Sequence, residues 1–203
     1  MKLYLKSAFL LPLLMGACMS TYADSPLTST NIAEFYTEHD IVEYALEKQV
    51  LDQRVLDYLL NDKQPLDVKA AVINALSWTS AIDRYPDLLN GLTKKYGTGD
   101  VTQFSPGDLA CLAYLSAMDD YFDVLEEAQW ITLAMEKQPE STTIRMLYAM
   151  IMGQLAMDFD WCAVWEYTRL ALQGLPEVRD MKTAAIQNIV DYTILYKSSC
   201  DVE

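Results

Sequence analysis

Two consecutive stretches, residues 107–140 (GDLACLAYLSAMDDYFDVLEEAQWITLAMEKQPE) and 144–177 (IRMLYAMIMGQLAMDFDWCAVWEYTRLALQGLPE), decide how this chain is read. Laid over one another at an offset of 37 positions, they pair Phe122-Asp123 with Phe159-Asp160 and Trp130 with Tyr167. The match continues through Leu133-Ala134 with Leu170-Ala171 and Pro139-Glu140 with Pro176-Glu177. Such a self-match marks a repeated supersecondary unit, because each unit can bury its apolar face only against a neighbour. Each copy reads as a helix with a small residue near its end (Ser116 or Gly153), a short acidic turn, and a second helix closed by proline. Ile144 to Met157 is apolar at almost every position except Arg145 and Gln154. A helix apolar all round is buried on several sides, so it is expected to lie centrally, between the second helices of the two copies.

Outward from the repeat, apolar residues recur at helical spacing and alternating β-branched runs are missing, so the fold class is all-α. The expected helices cover 31–38, 41–61, 65–79, 84–96, 107–118, 121–138, 142–157, 160–173 and 179–197. Asp40 with Glu43 reads as a capping pair, Pro65 as a first-turn residue, and Val68, Ala71, Val72, Ala75 and Leu76 as one buried face. The break from Tyr96 to Asp108, with Gly97, Gly99, Ser105, Pro106 and Gly107, reads as a surface loop. It divides an N-terminal helical half (24–98) from the repeat copies within a single domain (24–203). Residues 178–203 form a capping helix and tail that closes the stack.

The paired Ala134 with Pro139 and Ala171 with Pro176, together with the small residue late in each first helix, resemble the tetratricopeptide repeat. That resemblance implies antiparallel helical hairpins stacked as a short right-handed solenoid, and a concave surface that binds a peptide or partner protein. At the other end, Lys2 and Lys6 precede the apolar run Ala8 to Ala17, and Thr21-Tyr22-Ala23 has the small-x-small form of a cleavage site. Residues 1–23 are thus expected to be a signal peptide, and the apolar run is too short for a transmembrane span. Leu14-Met15-Gly16-Ala17-Cys18 is similar to the lipobox of bacterial lipoproteins, which implies lipidation of Cys18 as the alternative processing route and hence a lipid anchor. Either route predicts an exported protein, periplasmic or envelope-associated.

Charge narrows the partners. The chain carries 29 acidic and 15 basic residues, net −14; removing Lys2 and Lys6 leaves 13 basic against 29 acidic, net −16. Nucleic acid and anionic lipid repel such a chain, whereas a basic peptide or protein attracts it. A Gly-rich phosphate loop, a G-x-S-x-G elbow, CxxC and HExxH are all missing from the sequence, so no cofactor, metal or catalytic residue is assigned. The one histidine, His39, reads as a turn residue at a helix end. Cys111 sits in an apolar helix and reads as core. Asp119, Asp120, Asp123, Glu126 and Glu127 raise carboxylate catalysis as an alternative, but helix capping and solvation explain them more simply, with Asp158 and Asp160 as the second set. Cys162 and Cys200 should lie at the same end of an antiparallel hairpin and are a candidate disulfide. Phe122 with Phe159 and Trp130 with Tyr167, equivalent between the copies, read as shared packing positions, while any exposed members of the cluster, with Trp130, Trp161 and Trp165 as candidates, would be interface anchors. The expected function is non-catalytic protein–protein interaction. A carboxylate-based envelope hydrolase and an acidic immunity protein against a basic exported toxin are the alternatives.

Overall fold

A computed structural model describes residues 25–76 and 83–201. The signal segment 1–23, Cys18 and the end of the third expected helix lie outside the described residues. Within them the protein is all-helical: α1 (Asp40–Lys48), α2 (Gln53–Leu60), α3 (Leu66–Leu76), α4 (Tyr85–Tyr96), α5 (Pro106–Asp119), α6 (Leu125–Lys137), α7 (Thr142–Ala156), α8 (Trp161–Leu172) and α9 (Thr183–Thr193). Three 3₁₀ segments, Ile32–Tyr36, Val101–Gln103 and Ile194–Asp201, complete the order.

Local chemistry sets most boundaries. Asp52, Ser105, Ser141 and Asp160 each accept a hydrogen bond from the backbone N–H three residues on, satisfying a free donor of the first turn. Pro106 follows its cap at the first helical position, where its missing N–H costs nothing. Gly97 ends α4 in the left-handed conformation, at φ 72°. Asp40 does not cap: it is the first residue of α1, and His39, at the cap position, makes no side-chain capping bond.

The expected helix over 41–61 is in fact two. Gln49 adopts φ 52°, its N–H bonds the Ala45 carbonyl, and Asp52 then starts α2 afresh. The sixth helix begins at Leu125, not 121, because Asp120 accepts from the N–H of Phe122 and holds a turn there. The expected surface loop 96–108 also carries a core residue: Phe104 is buried, with its ring 4.9 Å from that of Tyr96.

From α5 to α8 each helix packs on the next through short connections. α7 lies between α6 and α8 and touches α3, α5 and α9 as well. Its buried face runs from Thr142 through Ile144, Leu147 and Ile151 to Ala156. The two copies fill the same internal contact with different chemistry. Ser116 of α5 donates its hydroxyl to Glu127 of α6, whereas at the equivalent place Gly153 of α7 lets Val164 and Pro26 approach. A Cβ at Gly153 would stand 3.4 Å from Pro26 Cγ and 3.6 Å from Val164 Cγ1.

The N-terminal segment closes over this body. Asn74 of α3, fully buried, accepts from the Ala33 N–H and donates to the Thr30 carbonyl and the Tyr114 hydroxyl, each at 3.0 Å. A second buried set joins α3, α4 and α5, where Asp108 accepts from Lys95 Nζ at 2.6 Å and from the Tyr96 hydroxyl at 2.7 Å, with Lys69 Nζ at 3.8 Å. The final segment differs from expectation. Residues 179–182 are not helical, α9 starts at Thr183, and α8, besides α7, packs more on the 3₁₀ segment Ile194–Asp201 than on α9. α9 is itself covered by the first 3₁₀ turn, where the Lys182 N–H donates to the Tyr36 hydroxyl at 2.9 Å.

Candidate interaction surface

The five carboxylates clustered in sequence part into two sets, Asp119 and Glu127 bonded inward and Asp120, Asp123 and Glu126 exposed. Asp119 turns to α4, accepting from the N–H groups of Arg84 and Tyr85 at 2.6 and 2.9 Å and pairing with the Arg84 guanidinium at 3.0 Å. It therefore caps a helix that begins 34 residues earlier, not the one that follows it. Glu127 is buried against Ser116. Burial pushes both carboxyls above their ordinary range, against the opposing pull of those hydrogen bonds. Asp120, Asp123 and Glu126 face solvent.

The aromatic residues redistribute as well. Trp130 is only 7% exposed and stacks on Tyr85, with ring centroids 5.7 Å apart, so it cannot anchor a partner. Trp165 is half-buried against the small cluster of Ala156, Val164, Tyr192 and Tyr196. Trp161 is 52% exposed, with its ring 5.5 Å from that of Tyr196. Phe122 and Phe159, read as packing positions, are 73% and 72% exposed. Repeat equivalence placed them in the same environment, and that environment is solvent.

These exposed rings belong to two turns at one end of the helical body. Leu125, the first residue of α6, lines the same groove as Met152 and Leu155 from the last turns of α7, so the turns 120–124 and 157–160 are neighbours. The groove, of 440 Å³, continues along α6 past Ala128, Thr132 and Leu133 to Glu136. Each turn sets an exposed phenylalanine between exposed aspartates: Asp120 and Asp123 about Phe122, Asp158 and Asp160 about Phe159. Neither lysine nor arginine occurs from residue 96 to 136 or from 146 to 168.

Cys162 and Cys200 form a disulfide at this end, with Cα atoms 4.6 Å apart, tying the first turn of α8 to the last 3₁₀ segment. Glu166 lies within 4.8 Å of both sulfurs, but disulfide sulfurs offer a cation no thiolate. Cys111 is fully buried, and burial pushes its thiol up to about 12, so it stays protonated at neutral pH. His39 sits beside Glu38, Nε2 to Oε1 3.3 Å, in a polar groove with Arg54, Asp57 and Tyr58, far in sequence from any thiol. Among the described residues no helix is long and apolar enough to cross a membrane.

Sequence reasoning missed Leu125 and the groove behind it. The signal available was the apolar pair Val124-Leu125 directly after an acidic turn, of which only Val124 is buried. Compared with protein-family models, curated proteins and solved structures, the chain matches none of them.

Proposed function

We propose that this chain is an exported helical-repeat protein of the bacterial envelope or periplasm that acts without catalysis, by binding another protein. In this reading its hairpins stack in the tetratricopeptide manner. The observation that carries it is the doubled turn, in which two repeat-equivalent phenylalanines stand in solvent beside an apolar groove at one end of the body. Large apolar side chains gathered on one edge lose free energy in water and regain it when a partner covers them. The hydrolase alternative draws less support, because Asp119 and Glu127 are committed to internal bonds with Arg84 and Ser116.

In-cell crosslinking of the tagged full-length protein in its native host, followed by mass spectrometry, tests the reading. A reproducible protein partner whose capture is lost in a Phe122→Ser, Phe159→Ser variant is the expected result. Capture of bulk envelope protein alone, unchanged in that variant, would overturn it. The narrower immunity reading requires binding that weakens steeply with salt, and salt-independent binding removes it. Intact mass of the processed protein separates cleavage after Ala23 from lipidation at Cys18.

A further inference from the structure

Resting on the interaction reading, we infer that the groove between α6 and α7 is the docking site for a basic amphipathic helical segment of a partner protein. Its floor is apolar, from Leu125, Ala128, Leu133, Met152 and Leu155. Leu125 is 58% exposed at the mouth, and Phe122, three positions before it, is 73% exposed. The groove follows α6 from Leu125 to Glu136, a run of roughly 16 Å at 1.5 Å per residue, which accommodates about three turns of a partner helix. Recognition of an amphipathic helix by such a groove uses apolar anchors at helical spacing.

Charge identifies the occupant. The mouth carries the exposed Asp120, Asp123 and Glu126 on one side and Asp158 on the other, while Glu136 closes the far end. Arg84 is buried in its pair with Asp119, and the basic residues of α6 and α7, Lys137 and Arg145, belong to that far end and are held by backbone carbonyls. Lys137 Nζ donates to those of Thr102 and Phe104, and Arg145 to those of Pro139 and Ala171. An apolar floor rimmed by carboxylates favours a segment with leucine-like anchors on one face and lysine or arginine on the other, and it disfavours an anionic membrane or an acidic helix.

The test is titration of the processed protein with a synthetic helical peptide of leucine and lysine, a matched leucine–glutamate peptide, and phosphatidylcholine vesicles. Saturable binding of the leucine–lysine peptide alone is expected. Phe122→Ser with Leu125→Ser should weaken it roughly tenfold or more, through lost apolar burial. Asp123→Lys with Glu126→Lys should weaken it at least about threefold, and less so at high salt. Val50→Ser, an exposed apolar position elsewhere, should leave it unchanged. Equal binding of the leucine–glutamate peptide, equal loss with Val50→Ser, or no binding of the leucine–lysine peptide overturns the assignment. So does vesicle binding that the Phe122 and Leu125 variants abolish. A photocrosslinker placed at Leu125 in the native host distinguishes the two levels of failure. Crosslinks to a partner segment that is not basic remove this inference and leave the interaction reading, whereas no crosslink there or at Phe159 removes both.

Discussion

The N-terminal half and the repeat copies are built by different means. Up to α4 the helices are short and unrepeated, and polar groups that meet in the interior join them. Asn74 bridges the first 3₁₀ turn to α5, while Lys69 and Lys95 converge on Asp108. From α5 to α8 the joints are mostly apolar, and the polar pair Ser116–Glu127 in one copy gives way to Gly153 against Val164 in the other. The surfaces differ correspondingly. Among the described residues Val50 is the one large exposed apolar side chain before α5, while Phe122, Leu125, Phe159, Trp161, Leu170, Val178, Ile194 and Leu195 follow it. Polar joints specify one arrangement and leave a quiet surface, whereas the repeated hairpins leave apolar ends uncovered. The half with the looser surface is the one suited to meet a partner.

Breaking a polar joint and an apolar one gives the largest expected effects. Asn74→Leu leaves the Ala33 N–H and the Thr30 carbonyl buried without their partner and should cost roughly 3–5 kcal/mol in urea unfolding. Trp130→Ala, which empties a packed site against Tyr85, should cost a similar amount, about 3–5 kcal/mol, while the exposed Trp161→Ala costs about 1 kcal/mol or less. Near-equal losses for the two tryptophans would contradict the assignment of one to the core and the other to the surface. Reduction of Cys162–Cys200, which bridges 38 positions of sequence, or its replacement by serines, should lower stability by about 3–4 kcal/mol, read as a fall in Tm.

A smaller effect concerns pH. Burial raises the carboxyls of Asp67, Asp119 and Glu127 above their ordinary values of 3.8 and 4.5, so the folded state holds those protons more tightly than the unfolded one. Their stabilising contribution is fully present below the ordinary values and is lost as pH rises through the raised ones. The half-buried Asp52 and the exposed Asp100 are shifted the other way, chiefly by hydrogen bonds from Tyr44 and Thr102, and they lose support only as pH falls through values beneath 3.8. The urea midpoint should therefore rise on mild acidification from pH 7 and fall again only in stronger acid. Glu127→Gln should flatten that rise while retaining an acceptor for Ser116. A midpoint that falls steadily from neutrality would contradict the burial of these groups. Smallest of all, Phe122→Ser should change stability by no more than about 0.5 kcal/mol, as befits a side chain that is mostly exposed.

Much of the helical order was legible because it is local. Asp160, read as a capping residue, does cap α8, and the 37-residue offset set Ser116 against Gly153. What escaped depends on distant contacts or on uncommon backbone. Nothing near Gln49 demands a left-handed turn, because that conformation usually selects glycine or asparagine. The partner of Asp119 lies 35 positions back in Arg84, and the partner of Asn74 is set by how the first segment docks. At the candidate surface, equivalence between Phe122 and Phe159 revealed that their surroundings match. It carried no information on whether those surroundings are core or water. For the tryptophans, aromatic content alone could not separate Trp130, which faces α4, from Trp161, at the free end of α8.

The bond between Lys182 and Tyr36, 146 positions apart, has a consequence for biogenesis. Because the first 3₁₀ turn packs on α9 as well as on α3, a growing chain cannot complete the cover of that turn until α9 has been made. Until then the turn has α3 to pack on but lacks its second cover, and that uncovered flank is open to other chains. A holdase that masks this segment during synthesis would thus act on the half of the molecule that is quietest once folded.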